Sequence, residues 1–328
     1  MQKRSITIAA YPLVNITLII LCSFILKWNN DIYFASALFS GYCARCNKWH
    51  TLPTTEEARH AALDLRRRMI ESGRIDVDEL KLRIDHDGNK LDILQHDLDP
   101  SLAIERLYER RGKMFGVLVC QVPDNNFTYS GSSNMTSGET VILKAYTGKL
   151  GGRWNLSGWS PIIGQVPESL PVFCRLRDDV AKLFDEIDAT KKLNASSSGE
   201  GSSLQKHAGI NEEKVKHLTK KRAHLATLAL DEVRRHQLVT NFRGDPFRPL
   251  TTIYTRGPTK VPGGTGDCAA PKLLAEAARL GLRPTGIAEI FVGATGGMST
   301  GKGDGELYDA CKDRCEQIAG FMLCGLDD

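Results

Sequence analysis

Two groups of cysteines are the residues best suited to chemistry. The first, Cys43-Ala-Arg-Cys46-Asn-Lys-Trp-His50, has zinc-ribbon spacing. Two thiolates three positions apart grip one tetrahedral ion, and the imidazole supplies a third ligand. A closed structural site takes four ligands, and no second Cys-x-x-Cys occurs in the sequence. The group is therefore either a half-site that recruits a distant residue or a pair that binds nothing. The second group is Cys268, Cys311 and Cys315. Cys268 opens an expected helix, whose N-terminus favours a thiolate. Cys311 and Cys315 share one face of the last helix if that helix begins early enough. Cys120, Cys174 and Cys324 lie among apolar residues and read as core.

Three thiols at two helix starts resemble the zinc nucleoside deaminases, whose signature is His or Cys, one residue, then Glu, followed later by Pro-Cys-x-x-Cys. The departures are plain. Ala270 stands at the glutamate position, the second pair is spaced Cys-x-x-x-Cys, and Ala310 replaces the proline. Zinc without that glutamate lacks a proton shuttle, and Glu289, in Ile287-Ala288-Glu289, is the nearby substitute. The alternatives for this cluster are a structural metal or thiol site and simple buried cysteines. Two further motifs fail. Gly296 to Lys302 follows the phosphate-loop pattern, but Gly303 stands where Ser or Thr would hold Mg²⁺, so no nucleotide cofactor is expected. Arg83-Ile84-Asp85 echoes the Arg-Leu-Asp of pseudouridine synthases, yet its sequel His86-Asp87-Gly88-Asn89 is wrong for that active site.

The elements that must position these residues follow from periodicity. Thr54 to Ser72 predicts a helix, with Thr54 as cap and Glu56 and Glu57 in the positive first turn. Phe115 to Val122 and Thr140 to Tyr146 predict paired strands around a polar loop, Pro123 to Glu139. Asp178 to Ile187 predicts a helix, residues 194–203 a flexible linker, and Asn211 to Gln237 a long charged helix. One face of the last carries Lys214, Lys216, Lys220, Lys221 and Arg222, a solvated surface that could also meet RNA phosphates. Leu250 to Tyr254 predicts a strand, Ala270 to Leu280 a helix closed by Gly281, Gly286 to Val292 a strand, and about Leu307 to Leu323 a final helix. The expected fold is α/β: a small mixed sheet with covering helices, preceded by a zinc-ribbon-like and β-hairpin portion and a long helix. The expected divisions fall at 41–193, 204–245 and 246–328.

With 41% hydrophobic and 25% charged residues the chain can bury a sizeable core, and a net charge of +4 does not by itself imply nucleic acid. An odd count of irregularly spaced cysteines suits reduced thiols better than disulfide staples. Lys3 and Arg4 precede an uncharged run, Ile6 to Leu26, that barely reaches membrane-spanning length. Residues 1–40 thus read as an N-terminal anchor, a cleaved signal ending near Ala35-Ser36-Ala37, or a simple extension, and membrane contact would run through residues 6–26. The Asn-x-Ser/Thr triplets at Asn15, Asn126, Asn134, Asn155 and Asn194 matter only in a secreted chain. The Cys-x-x-Cys pair favours an intracellular, reducing setting.

Several blocks carry a family resemblance: Met114 to Cys120, Val141 to Gly148, Gly152 to Asn155, Gly264 to Leu274, Ile287 to Glu289, Cys311 to Cys315, and Met322 to Leu326. In this order they resemble the N-terminal extension of some bacterial large-subunit (RluA-type) pseudouridine synthases, over much of residues 40–328. In that family the uridine chemistry belongs to a separate downstream domain, so the resemblance implies no pseudouridine synthesis by this chain alone. It implies a non-catalytic accessory or RNA-associated module, whose partner is RNA or an RNA-modifying enzyme. Two rivals stand beside it. One is a divergent zinc-dependent deaminase or hydrolase using Cys268, Cys311, Cys315 and Glu289; the other is a membrane-tethered interaction protein.

Overall fold

A computed structural model describes residues 38–76, 99–109, 111–124, 136–196, 202–296 and 301–326. The N-terminal run, Arg83-Ile84-Asp85, most of the polar loop after Pro123, and residues 297–300 of the glycine loop lie outside them. Among the described residues no helix is long and apolar enough to cross a membrane.

The fold is mixed α/β, with antiparallel sheets. Strands β1 (Leu38–Cys43) and β2 (Lys48–Pro53) form a hairpin whose register runs from Leu38 opposite Pro53 to Cys43 opposite Lys48. Helix α1 (Glu56–Ser72) follows, capped by Thr55 rather than Thr54, since the Thr55 hydroxyl accepts from the Ala58 N–H at 3.2 Å. Its buried Ala58, Ala62, Leu65 and Met69 form the stripe that a 3.6-residue period requires. The one-turn helix α2 (Glu105–Glu109) leads to β3 (Lys113–Gln121) and β4 (Thr140–Tyr146), paired as expected.

Helices α3 (Pro171–Ser196) and α4 (Ser202–Arg235) form a hairpin around Leu183, Ile187 and Leu218. Both outrun the sequence expectation, and they take in residues 194–196 and 202–203 of the expected linker; residues 197–201 lie outside the described set. Part of the expected basic face is used internally: Lys214 pairs with Glu186 at 3.0 Å, and Arg222 stacks on Phe184.

Strands β5 (Leu238–Val239) and β6 (Arg248–Pro249) make a two-residue ladder. The strand expected at Leu250 to Tyr254 is instead the short helix α5 (Leu250–Ile253). Pro249 has no N–H to continue a ladder, and the fully buried Leu250 anchors a turn in its place. Helix α6 (Ala269–Arg279), β7 (Arg283–Val292), β8 (Leu307–Tyr308) and α7 (Glu316–Leu323) complete the chain. The final helix therefore starts later than its composition suggests. Leu307 and Tyr308 are captured by the free edge of β7, opposite Ile290 and Glu289.

The principal sheet has the order β4-β3-β7-β8, all neighbours antiparallel. Both faces of β3 are covered, which explains its unbroken apolar run. Leu118 and Cys120 face the core that holds α6 and α7, whereas Phe115, Val117 and Val119 face α1. The β1–β2 hairpin lies against α7 by backbone contact. A Cβ on Gly320 would fall 2.2 Å from the Tyr42 carbonyl carbon, and one on Gly41 would fall 2.5 Å from the Gly320 nitrogen. Gly320→Ala should therefore destabilise the protein by roughly 3 kcal/mol. Gly296→Ala, at a position with open space, should be near neutral. Urea midpoints of the two variants check the contrast, and equal midpoints would refute the close packing.

Candidate functional site

The turn Gly263-Gly264-Thr265-Gly266-Asp267 delivers Cys268 to the start of α6. Gly264 and Gly266 sit at φ +76° and +90°, where side chains are strained, and a Cβ on Gly266 would strike Leu250 at 2.7 Å. The Gly148 N–H donates to the Asp267 carbonyl at 2.8 Å, fastening this turn to the end of β4. Lys272, one turn into α6, is buried and donates to the carbonyls of Tyr146 at 2.8 Å and Gly148 at 3.1 Å. Burial lowers its ammonium to about 8, and the neighbouring Asp267 works against that shift.

Cys268 is the N-cap of α6 and Cys315 the N-cap of α7. Cys311 lies in the turn before α7, not on the helix face that sequence spacing suggested. Its carbonyl accepts from the N–H groups of Cys315 at 3.1 Å and Glu316 at 3.2 Å. The sulfurs of Cys268, Cys311 and Cys315 all fall within 4.8 Å of one another, with Cys311 and Cys315 3.3 Å apart. Hydrogen bonding with Cys268 and Cys315 pulls the Cys311 thiol well below its ordinary range, aided by the Cys315 N–H at 3.4 Å. Hydrogen bonding with Cys311 and burial push the Cys268 and Cys315 thiols up.

Glu289 lies beside this group, near enough for its charge to act on Cys268 and for that of Cys311 to act on it. It faces Gly116 across the β3–β7 ladder, on the α6 side of the sheet, and its Oε1 accepts the Ala270 N–H at 3.0 Å. Burial raises its carboxyl to about 7; the Ala270 hydrogen bond lowers it and the Cys311 charge raises it further. Gly116 lets α6 approach the strand here, since a Cβ there would stand 2.9 Å from the Ala269 Cβ and 3.0 Å from Leu273 Cδ1, against an ordinary 3.6 Å from the Glu289 Cγ. An open cleft of ≈ 590 Å³ reaches Cys311 between Tyr254, Arg256, Lys260 and Arg314, a size common for small-molecule sites.

Cys43, Cys46 and His50 do come together, and the structure adds Cys324. The fourth member was missed because it lies nearly 280 residues away and reads locally as core. Its only sequence signal was the unmatched count of ligands beside Cys43 and Cys46. Cys46 Sγ stands 2.9 Å from His50 Nε2. Burial works to raise the Cys46 thiol, but hydrogen bonds with His50, Cys43 and Cys324 bring it down to about 7. The two cysteine groups remain separate clusters. Cys120 is core, as expected, whereas Cys174 is half-buried on α3, where it donates to the Glu168 carbonyl at 3.3 Å. The glycine loop ends beside β8, with Lys302 stacked 3.7 Å above the Tyr308 ring, and no helix start meets it.

No family model matches the chain, and no curated protein or solved structure matches it. What the geometry defines is a mixed α/β protein with, among the described residues, two Cys/His groups at metal-binding distances, one of three ligands and one of four.

Replacing Lys272 by Met should cost about 1–3 kcal/mol, because two carbonyls lose their buried donor. Guanidinium unfolding of the variant checks this. An unchanged midpoint would mean that α6 is not held to β4 through Lys272.

Proposed function

We propose that this chain is a zinc-dependent hydrolytic deaminase acting on an exocyclic amine of a phosphate-bearing nucleobase substrate. One observation carries the reading: the Glu289 carboxylate is hydrogen-bonded to the backbone N–H of Ala270, beside three clustered cysteine sulfurs. Ala270 is the position at which the deaminase signature has its glutamate. A carboxylate arriving from the neighbouring strand thus stands where the helix supplies none.

The donor set suits zinc. Three sulfurs are soft ligands, and three protein ligands are the number found in zinc sites that leave a position for water or substrate. Bound there, zinc would supply positive charge and lower the pKa of a water molecule. Glu289 takes a proton from the attacking water and delivers it to the leaving nitrogen. A C–O bond replaces the C–N bond, the ring carbon ends as a carbonyl, and the amine departs as ammonia. A carboxyl raised to about 7 by burial suits both halves of that proton transfer. Arg256, Lys260, Lys312 and Arg314 line the cleft beside Cys311 and make it attractive to phosphate, with Asp313 paired to Arg256 at 2.9 Å and the Asp267 carboxyl acting on Arg314. The accessory RNA-module reading rests on sequence resemblance alone, and no arrangement among the described residues favours it over catalysis.

Zinc-loaded full chain should release ammonia from cytidine or adenosine monophosphate, or from short single-stranded oligonucleotides carrying those bases. Glu289→Gln should lower kcat by about 10²–10⁴-fold with zinc content unchanged. Equal turnover in the variant, or none with any of these substrates at full zinc loading, would sink the proposal.

A further inference from the structure

We infer that Cys43, Cys46, His50 and Cys324 hold a second, structural zinc ion that clasps the first hairpin of the fold to the end of its last helix. These four side chains offer three sulfurs and one imidazole nitrogen, all within 4.8 Å of one another. Ligands of one tetrahedral zinc stand roughly 3.5–3.8 Å apart, given Zn–S of about 2.3 Å and Zn–N of about 2.1 Å, so small side-chain adjustments complete the shell. Cys43, His50 and Cys324 are 1%, 2% and 0% exposed and Cys46 is half-buried, and four protein ligands fill a tetrahedral shell with no position left for a substrate. That closure is the mark of a structural site, in contrast to the three-ligand cluster at Cys311.

The backbone is shaped for the same end. Asn47, at φ +60°, folds the chain back after Cys46, and the Asn47 N–H donates to the Cys43 carbonyl at 2.9 Å. This tight turn aims Cys43 and Cys46 at one point while β2 returns His50 beneath them. On the other side, Cys324 is the C-cap of α7, and its carbonyl accepts the Arg243 N–H at 3.1 Å. The ion pair of Arg45 with Asp245, at 2.7 Å, draws the same segment over the turn. None of the three cysteines takes part in a disulfide. Two buried thiols and a half-buried one around an imidazole gain little from hydrophobic burial that a leucine would not supply better. One divalent cation uses all four groups.

The test is run in a Cys268→Ser/Cys311→Ser background of the full chain, which silences the other cluster and keeps this inference independent of the deaminase reading. Purified under reducing conditions with zinc supplied, that protein should hold one zinc per chain. Cobalt in its place should show thiolate-to-metal charge-transfer bands of three-sulfur intensity. Adding Cys324→Ser should abolish stoichiometric zinc and lower the melting temperature by roughly 10 °C or more. His50→Cys, which keeps a soft ligand in place, should retain both zinc and fold, so that a failure of Cys324→Ser to fold does not leave the matter open. Zinc below half-stoichiometric in the background protein would overturn the clasp. So would zinc unchanged by Cys324→Ser, or a disulfide among these cysteines in the reduced preparation.

Discussion

The backbone contact between β1 and α7 is the constraint on which the rest of the structure depends. Gly41 and Gly320 let a strand and a helix approach more closely than any side chain would permit. Cys315 begins α7 and Cys324 ends it, so this eight-residue helix separates the two thiol groups by about 13 Å along its axis. Fixing the helix against β1 fixes both ends at once. One end meets Cys268 and Cys311; the other meets Cys43, Cys46 and His50. A short helix packed only through side chains could slide or rotate by a fraction of a turn, and either cluster would then lose its geometry.

The two clusters draw on the same residue types in different surroundings. At Cys311 neighbouring thiols pull the thiol down, and a cleft reaches it from solvent. At the other cluster Cys43 and Cys324 are buried beneath a hairpin with Cys46 at its edge, and burial pushes the Cys324 thiol up to about 12. A buried thiol that resists ionisation is inert without a metal. Accessibility and ligand number, more than residue type, separate a centre suited to reaction from one suited to structure.

How much of this the sequence disclosed varies with the range of the interactions involved. The paired strands β3 and β4, helix α1 and helix α6 were legible, because alternation, a capping threonine and a glycine stop act within a few residues. Membership of Cys268, Cys311 and Cys315 in one group was also legible, from two expected helix starts. The late beginning of α7 was not: Leu307 and Tyr308 join the edge of β7, and an edge strand two residues long leaves no periodic trace. Cys324 was hidden for the same reason, since its partners lie at the opposite end of the described fold. The hairpin of α3 and α4 outran its polar, glycine-containing composition, because packing of Leu183, Ile187 and Leu218 supplies stability that propensity does not count.

Glu289 shows how a sheet can set a carboxylate beside a cysteine cluster where the helix sequence offers none. A glutamate two residues after the first cysteine would rise from the helix start; here that residue is Ala270, small and fully buried. The neighbouring strand fills the gap. Register places Glu289 opposite Gly116, and the missing side chain at Gly116 lets the start of α6 come close enough for the carboxylate to accept the Ala270 N–H. Three positions therefore act together: glycine on β3, alanine on α6 and glutamate on β7. A side chain at Gly116 would meet the start of α6, and a one-residue slip of β7 would turn Glu289 toward α1. The carboxylate that the helix lacks is held in place by sheet register, a constraint that no local sequence pattern records.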